Sequence, residues 1–242
     1  MRVCAAVDLM HVLSAFAYVL IDVPPSTAAL LRAAAVRTAE RLTPSELPAV
    51  LWALASLGVD IAGDAAERAL VTAAVRVAPR LDGKGVSNLF WAFTVLDVPL
   101  PDPGRRALLA AAAAAAPEMS SHAVASTLFS LPPLDVDLAA PEHSDLRAAL
   151  LAAAARTAPA MTATDVSSAL HAPPLLPAGD DTTELVRGPL TAAALRVAPS
   201  QSAAQVNMVL DGIIRLGWPI SEELRGALSR THELSWAEDG AE

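Results

Sequence analysis

The stretch Val50-Leu51-Trp52-Ala53-Leu54 decides the fold, because copies of it return about every forty residues. The clearest copies are Leu89-Phe90-Trp91-Ala92-Phe93 and Thr127-Leu128-Phe129-Ser130-Leu131, and an earlier one is Val12-Leu13-Ser14-Ala15-Phe16. The aligned anchors are separated by 38, 39, 38, 42 and 40 residues, and they are Leu13, Leu51, Phe90, Leu128, Leu170 and Leu210. A period of this length indicates a stacked array, in which each unit buries its apolar face against its neighbours.

Each unit divides into two helical segments with apolar residues at helical spacing. In the second unit, the spacing predicts helices over about residues 45–57 and 64–77. An aligned column of N-cap residues marks the starts, and it reads Thr43, Asp82, Ser120, Thr162 and Ser202. Three of these have a reciprocal capping partner three residues later, namely Glu46, Asp165 and Gln205. Prolines that cannot continue a helix follow the second segments at Pro79, Pro117, Pro159 and Pro199.

Between the two segments lies an apolar–polar–apolar triplet that resembles a short strand. Its fixed place between two helices favours a packed connector instead. The copies are Ile21-Asp22-Val23, Val59-Asp60-Ile61, Val98-Pro99-Leu100, Val136-Asp137-Leu138 and Trp218-Pro219-Ile220. Alanine dominates the second helices, which predicts close contact between neighbouring units.

The predicted fold class is therefore all-α, a right-handed α-solenoid of about six helical hairpins. The expected units are residues 5–42, 43–81, 82–119, 120–161, 162–201 and 202–234, followed by an acidic tail at 235–242. Prolines interrupt two copies, at Leu131-Pro132-Pro133-Leu134 and at Ala172-Pro173-Pro174-Leu175-Leu176-Pro177. Because an interior proline breaks a helix, those two helices should stop early and their turns should rearrange.

Composition excludes several kinds of function. The formal net charge of −9 has the wrong sign for a generic nucleic-acid coat, and the single cysteine rules out an internal disulfide. The five histidines are scattered, and Gly83-Lys84-Gly85 lacks the remaining P-loop residues, which favours a plain turn. We therefore expect no enzyme, no metal, no cofactor and no small-molecule substrate.

The apolar stretch at residues 9–21 has the length of a signal-peptide core, but it falls in the repeat register, and no stretch predicts a membrane span.

The basic residues fall in columns. The column three residues before the terminating proline, or the equivalent position, reads Arg37, Arg76, Ala114, Arg156 and Arg196, with Arg230 in the last copy. A second column about two turns earlier reads Arg68, Arg106, Arg147 and Arg187. Two interpretations remain open: a solvated edge of arginines paired with nearby carboxylates, or a track of phosphate-binding arginines. Trp52 and Trp91 could stack on bases, but their place within the apolar stripe favours core burial.

The segment 42–58 closely resembles the octotricopeptide repeat, whose pattern is Leu-Ser-Pro, a short helical spacer, and Leu-Leu-Trp-Ala-Leu-Ala-Lys-Leu-Gly. Here it begins Leu42-Thr43-Pro44 and ends Val50-Leu51-Trp52-Ala53-Leu54-Ala55-Ser56-Leu57-Gly58. The last unit keeps Asn207, Leu210, Leu216 and Gly217. The resemblance covers nearly the whole chain, strongly over residues 41–100 and weakly over residues 158–188.

The resemblance implies a superhelix that binds single-stranded organellar RNA and acts in transcript processing, stability or translation, with looser relatives among FAST-kinase-like mitochondrial RNA proteins. It implies a chloroplast or mitochondrial location, although no clear transit peptide is present and the alternative is cytoplasmic. The two arginine columns are the expected phosphate contacts. The alternative function is a protein–protein scaffold of the HEAT or armadillo type, and a third possibility is a degenerate array without a ligand of its own.

Overall fold

The computed structural model describes the backbone of residues 6–19, 21–61, 63, 65–172 and 181–239, and the side chains of residues 7–19, 21–61, 63, 65–172 and 185–230. Within these ranges the chain forms twelve α-helices and short 3₁₀ helices, and no strand. The odd-numbered helices are α1 (Ala6–Tyr18), α3 (Glu46–Ser56), α5 (Gly83–Val95), α7 (Ser121–Ser130), α9 (Ala163–His171) and α11 (Ala203–Arg215). The even-numbered helices are α2 (Pro25–Thr38), α4 (Ala65–Val77), α6 (Asp102–Ala115), α8 (Ser144–Thr157), α10 (Asp181–Val197) and α12 (Glu222–Asp239).

The chain divides into two units, Met1–Ala115 and Ala116–Glu242. In the first unit α1, α3 and α5 pack side by side in one layer, and α2, α4 and α6 form a second layer against them. In the second unit α7, α9 and α11 form one layer, and α8, α10 and α12 form the other. Each unit therefore has the all-α, repeat-like arrangement of helix pairs that the sequence period predicts.

The anchor residues form the core of the odd-numbered layers. Leu13, Leu51, Phe90, Leu128 and Leu170 are each at most 3% exposed, whereas Leu210 is partly exposed. In the even-numbered helices, alanines are buried where neighbouring helices meet, including Ala73, Ala74, Ala111, Ala112, Ala153, Ala154, Ala193 and Ala194. Small side chains at these positions let the even-numbered helices of one unit approach closely, as the alanine content predicts.

Four of the five predicted N-caps are confirmed, and Thr43 is the exception, because α3 begins at Glu46 with Ser45 as its N-cap. The Asp82 carboxylate accepts from the Gly85 amide at 2.7 Å, and the Ser120 hydroxyl accepts from the Ala123 amide at 3.2 Å. All three reciprocal pairs also form, because Thr162 with Asp165, Ser202 with Gln205 and Thr43 with Glu46 each exchange both hydrogen bonds. These bonds satisfy amides that the first turn of a helix leaves without a backbone partner.

The even-numbered helices stop before the predicted prolines, but the chain does not leave the helix there. It tightens into a 3₁₀ turn with proline at the second position, where a missing amide proton costs little. These turns are Ala78–Arg80, Ala116–Glu118, Ala158–Ala160 and Ala198–Ser200, and Ala39–Arg41 is the matching turn without a proline.

Four odd-numbered helices end in the same left-handed turn. Its left-handed residues are Gly58, Asp97, Asp135 and Gly217, with φ angles of 61°, 51°, 56° and 65°. The next amide donates to the carbonyl five residues back, for example from Val59 to Leu54 at 2.9 Å. This is the Schellman motif, which satisfies the last carbonyls of a helix. The connector that follows it is packed rather than extended as a strand, since Val59, Ile61, Val98, Leu100, Val136, Leu138 and Trp218 are buried. The predicted packing is wrong for the first connector, where Ile21 is 44% exposed.

The predicted early stops are confirmed. α7 ends at Ser130, and the 3₁₀ helix Pro132–Leu134 carries the chain into the left-handed turn. Val136 still donates to Leu131 at 3.2 Å, so the Schellman bond survives the two prolines. α9 likewise ends at His171, and the predicted rearrangement from Pro173 onwards lies outside the described residues. α12 runs on to Asp239, into the expected acidic tail, whose last residues, 240–242, also lie outside.

Asp97→Gly should stabilise the protein by about 0.5–1 kcal/mol, because glycine adopts the left-handed conformation without the steric cost that Asp97 carries. The reciprocal change, Gly58→Asp, should cost a similar amount at the equivalent turn. Urea unfolding of both variants measures the two effects, and a loss of stability in Asp97→Gly would contradict the explanation.

The residue two positions after each anchor is small. The smallest of these residues is Gly212 in α11. A Cβ added at Gly212 would lie 2.0 Å from the Leu170 carbonyl oxygen of α9. The backbones of α9 and α11 therefore approach so closely at Gly212 that no side chain larger than a hydrogen atom fits between them.

Gly212→Ala should destabilise the protein by about 1–3 kcal/mol, because the new methyl group overlaps a backbone atom that cannot move without shifting a helix. Gly226→Ala in α12 is the matched control, since the Cβ there meets only the end of the Arg230 side chain. The control should be neutral or gain up to about 1 kcal/mol from the better helix propensity of alanine. Thermal melts that rank the two variants in the opposite order would refute this account.

Candidate nucleic-acid interface

Three arginines of the first predicted column bond to backbone carbonyls at a 3₁₀ turn that lies 34 to 40 residues earlier in the chain. Arg76 in α4 donates from Nη2 to the carbonyls of Ala39 at 3.0 Å and Leu42 at 2.7 Å. The same pair of bonds runs from Arg156 to Ala116 (3.2 Å) and Met119 (2.8 Å), and from Arg196 to Ala158 (3.2 Å) and Met161 (2.6 Å). We call this contact the inter-repeat arginine bond.

The inter-repeat arginine bond has a clear physical role. The acceptor carbonyls belong to the first residue of a 3₁₀ turn and to the residue just after it, where the partial negative charge of a helix end accumulates. A guanidinium placed there satisfies two carbonyls and complements the helix dipole at once. These three arginines, which the sequence suggested as phosphate contacts, are therefore already bonded to the 3₁₀ turn of the preceding repeat.

Two members of the column lack this bond. In α6 the position is occupied by Ala114, so that no arginine reaches the equivalent carbonyls of Ala78 and Leu81. Arg37 has the right position in α2, but no even-numbered helix precedes α2 in the described chain. Arg37 is exposed and lines a groove between α2 and α4, together with Arg68 and Arg76.

The second arginine column is less uniform. Arg147 donates from Nη1 to the connector carbonyls of Leu138 at 2.8 Å and Ala139 at 3.3 Å. Arg68 and Arg106 are exposed, and Arg187 is partly exposed. The Asp102 carboxylate lies near Arg106, and it pairs with the adjacent Arg105 at 2.5 Å. The hydrogen bond from Arg105 and its charge hold the pKa of Asp102 below its usual value. This column thus combines backbone bonds, exposed cations and a local ion pair.

Sequence reasoning missed one column of side chains on the odd-numbered helices. It is the residue directly after each anchor, and every member is partly exposed: Ser14, Trp52, Trp91, Phe129, His171 and Asp211. The expected core burial of Trp52 and Trp91 is therefore wrong in part. One residue along an α-helix is a rotation of about 100°, which turns this position away from the anchor and out of the core. We call these residues the ring column, after the four aromatic members.

Members of the ring column contact side chains of neighbouring odd-numbered helices within each unit. The Tyr18 ring of α1 lies 5.3 Å from the Trp52 ring, measured between centroids, and the Phe129 ring lies 6.3 Å from the His171 ring. His171 Nδ1 lies 3.5 Å from the Asp211 carboxylate, which also pairs with Arg215. The aromatic faces are therefore ordered by lateral contacts and still reach solvent.

Polar side chains flank the ring column on the same helix faces. One turn before it are Asn88, Ser126 and Ser168, and two turns before it are Ser45, Lys84, His122 and Thr164. Two of these link adjacent helices: His122 Nδ1 lies 3.2 Å from the buried Asp165 carboxylate, and Thr164 accepts from Gln205 at 3.1 Å. The open faces of the odd-numbered helices thus combine flat rings with hydrogen-bond donors and acceptors. Aligning the repeats and advancing one position from the anchor would have identified these residues from sequence.

The described residues contain no group of three or more histidine, cysteine or acidic side chains that could hold a metal ion. Among them, too, no helix has both the length and the apolar character needed to cross a membrane.

No protein-family model matches the chain, and no curated protein matches it either.

Arg196→Met should destabilise the protein by about 1–2 kcal/mol, because methionine keeps an apolar stem but leaves the Ala158 and Met161 carbonyls without the charged donor. Ala114→Arg should have the opposite effect, a gain of roughly 1 kcal/mol, by supplying the missing inter-repeat arginine bond to Ala78 and Leu81. Guanidinium unfolding measures both changes. If neither variant differs from the wild type, the inter-repeat arginine bond contributes nothing to stability.

Proposed function

We propose that the protein is a non-enzymatic module that binds single-stranded RNA through the open faces of its odd-numbered helices. The ring column carries the proposal, because it repeats once per helix pair and a nucleic acid repeats its bases in the same way. The resemblance to octotricopeptide repeats supplies the rest: a right-handed superhelix of about six hairpins, and chloroplast or mitochondrial transcripts as targets.

Base stacking on exposed rings supports a single strand over a duplex. Every base has a flat face that stacks on an aromatic side chain, but the faces are free only where bases are unpaired. A base inserted between two rings needs about 6.8 Å, twice the base-stacking distance of about 3.4 Å. The ring separations of 5.3 and 6.3 Å are smaller, so bases would stack on the outer faces. Trp91 is partly exposed and has no ring partner among the described residues.

Phosphate contacts in this proposal come from cations near the ring column. Lys84 lies on the exposed face of α5 itself. Arg106 lies in the first two turns of α6, just after the connector that follows α5, and Arg187 lies in α10. The inter-repeat arginine bond already engages Arg76, Arg156 and Arg196, and Arg147 bonds to a connector, which makes these four weaker candidates. Their predicted phosphate contacts stay predictions.

A protein–protein scaffold is the second candidate function. A scaffold role is consistent with the formal net charge of −9, because a negative protein repels the phosphates of RNA at long range. The two candidates differ in one respect, because stacking on a ring column is sensitive to ring removal and requires an unpaired base.

Trp91→Leu should lower the affinity for a random single-stranded RNA pool at least fivefold, since one base–aromatic stack contributes about 1–3 kcal/mol. Trp91→Phe keeps a ring and should retain most of the affinity. Fluorescence polarisation with a labelled 20-nucleotide pool measures both, at two salt concentrations and with a perfect duplex as the competitor.

A melt of each variant shows whether the fold is intact. RNA binding that persists equally in Trp91→Leu and Trp91→Phe would reject the ring column as the site. If the folded wild-type protein binds no RNA at either salt concentration, the RNA-binding proposal is rejected and the protein–protein scaffold remains as the candidate function.

A further inference from the structure

The groove between α2 and α4 is open and has a volume of about 880 Å³. Three arginines line it, Arg37, Arg68 and Arg76, and Glu40 is the acidic residue beside them. The remaining lining is small or aliphatic: Val36, Ala39, Ala65, Ala69, Thr72 and Ala73. A shallow apolar floor with cationic side chains around it is the general form of a site for an amphipathic anion.

Local charge sets this groove apart from the rest of the chain. Residues 25–41 and 65–80 carry six arginines and two glutamates, a formal charge of +4 in a protein of formal net charge −9. The equivalent helix pair at residues 144–160 and 181–200 carries four arginines and three carboxylates, a formal charge of +1. Positive charge is therefore concentrated at α2 and α4, and an anion is attracted there first.

The three guanidinium groups differ in how firmly hydrogen bonds hold them in place. Arg37 and Arg68 are exposed, and neither has a hydrogen-bond or ion-pair partner among the described residues. Arg76 is held in place, because its Nη2 donates to the carbonyls of Ala39 and Leu42 while the side chain still faces the groove. One fixed cation beside two adjustable ones can surround a tetrahedral anion from several sides, and arginine forks match its oxygens bidentately.

We propose that this groove binds a phosphorylated segment of a partner protein, with the phosphate monoester held by Arg37, Arg68 and Arg76. The alanine floor would take the small or aliphatic side chains next to the phosphorylated residue, and the Thr72 hydroxyl offers a polar contact. Glu40 is placed to accept from a backbone amide or a basic side chain of the segment and to disfavour a purely polyanionic ligand.

Nucleic acid fits this groove less well than a phosphopeptide. No aromatic side chain lines it, so a base would have nothing to stack on. The ring column lies on the odd-numbered helices of the other layer, so a strand bound there does not occupy the groove. This inference is independent of RNA binding and stands or falls separately.

The test uses two synthetic peptide pools with randomised flanking residues, one with a central phosphoserine and one with serine. Polarisation of the labelled pools should show at least tenfold tighter binding of the phosphoserine pool to the full-length protein. Millimolar inorganic phosphate should compete, because it occupies the same guanidinium groups.

The combined change Arg37→Glu and Arg68→Glu should abolish this preference, while Arg76 is left intact because it holds two helices together. Arg225→Glu is the matched control: it reverses one exposed arginine, paired with Glu222 at 3.3 Å and outside the groove, and should change binding less than twofold. The less drastic pair Arg37→Gln and Arg68→Gln should also lose most of the preference, and melts check that each variant is folded.

Two outcomes would overturn the inference. One is equal binding of the two pools by the wild type, or a preference that survives in the double variants. The other is loss of single-stranded RNA binding in the double variants without any phosphopeptide binding, which would make the groove an RNA phosphate site. Phosphopeptide binding by a protein that binds no RNA would support the groove and reject only the RNA proposal.

Discussion

Burial of one anchor residue per helix pair is the constraint on which the rest of the structure depends. Each odd-numbered helix presents a leucine or phenylalanine to its neighbours in the layer, followed two positions later by a small residue that allows close approach. At Gly212 the approach is so close that even a methyl group is excluded. Because a helix turns about 100° per residue, fixing the anchor also fixes which side chain reaches solvent beside it. The ring column is thus a direct geometric result of the core.

The arginine columns show that one sequence pattern is compatible with two different causes. Periodic arginines are expected both where a repeat array contacts a polyanion and where each repeat must satisfy the helix end of the previous one. The structure assigns Arg76, Arg156 and Arg196 to helix ends, since each donates to two carbonyls there. Composition and spacing are the same in both cases, and only the position of the acceptor atoms separates them. Arg37 and Arg68, which make no such bond, line the groove between α2 and α4.

The two surfaces proposed for binding differ in chemistry and in location. The odd-numbered helices present rings with hydroxyl, amide and imidazole groups between them, which suits unpaired bases. The helices α2 and α4 present guanidinium groups above a floor of alanine, which suits a phosphate on a small-residue segment. An acidic protein with a locally basic groove attracts anions to that groove, whereas binding at the ring column depends mainly on short-range stacking.

The sequence by itself determined the helical class, the alternation of two helix types, the capping residues, the early stop of α7 and the packed connectors. All of these follow from local rules, in which backbone hydrogen bonds and side-chain spacing act over a few residues. It did not determine the exposure of Trp52 and Trp91, the bonding of the arginine columns or the existence of a basic groove. The bonds of Arg76, Arg156 and Arg196 and the groove between α2 and α4 depend on contacts between residues 30 or more positions apart, such as Arg76 with Leu42. Only the tertiary structure brings such residues together, because the rotation and separation of neighbouring helices decide which atoms meet.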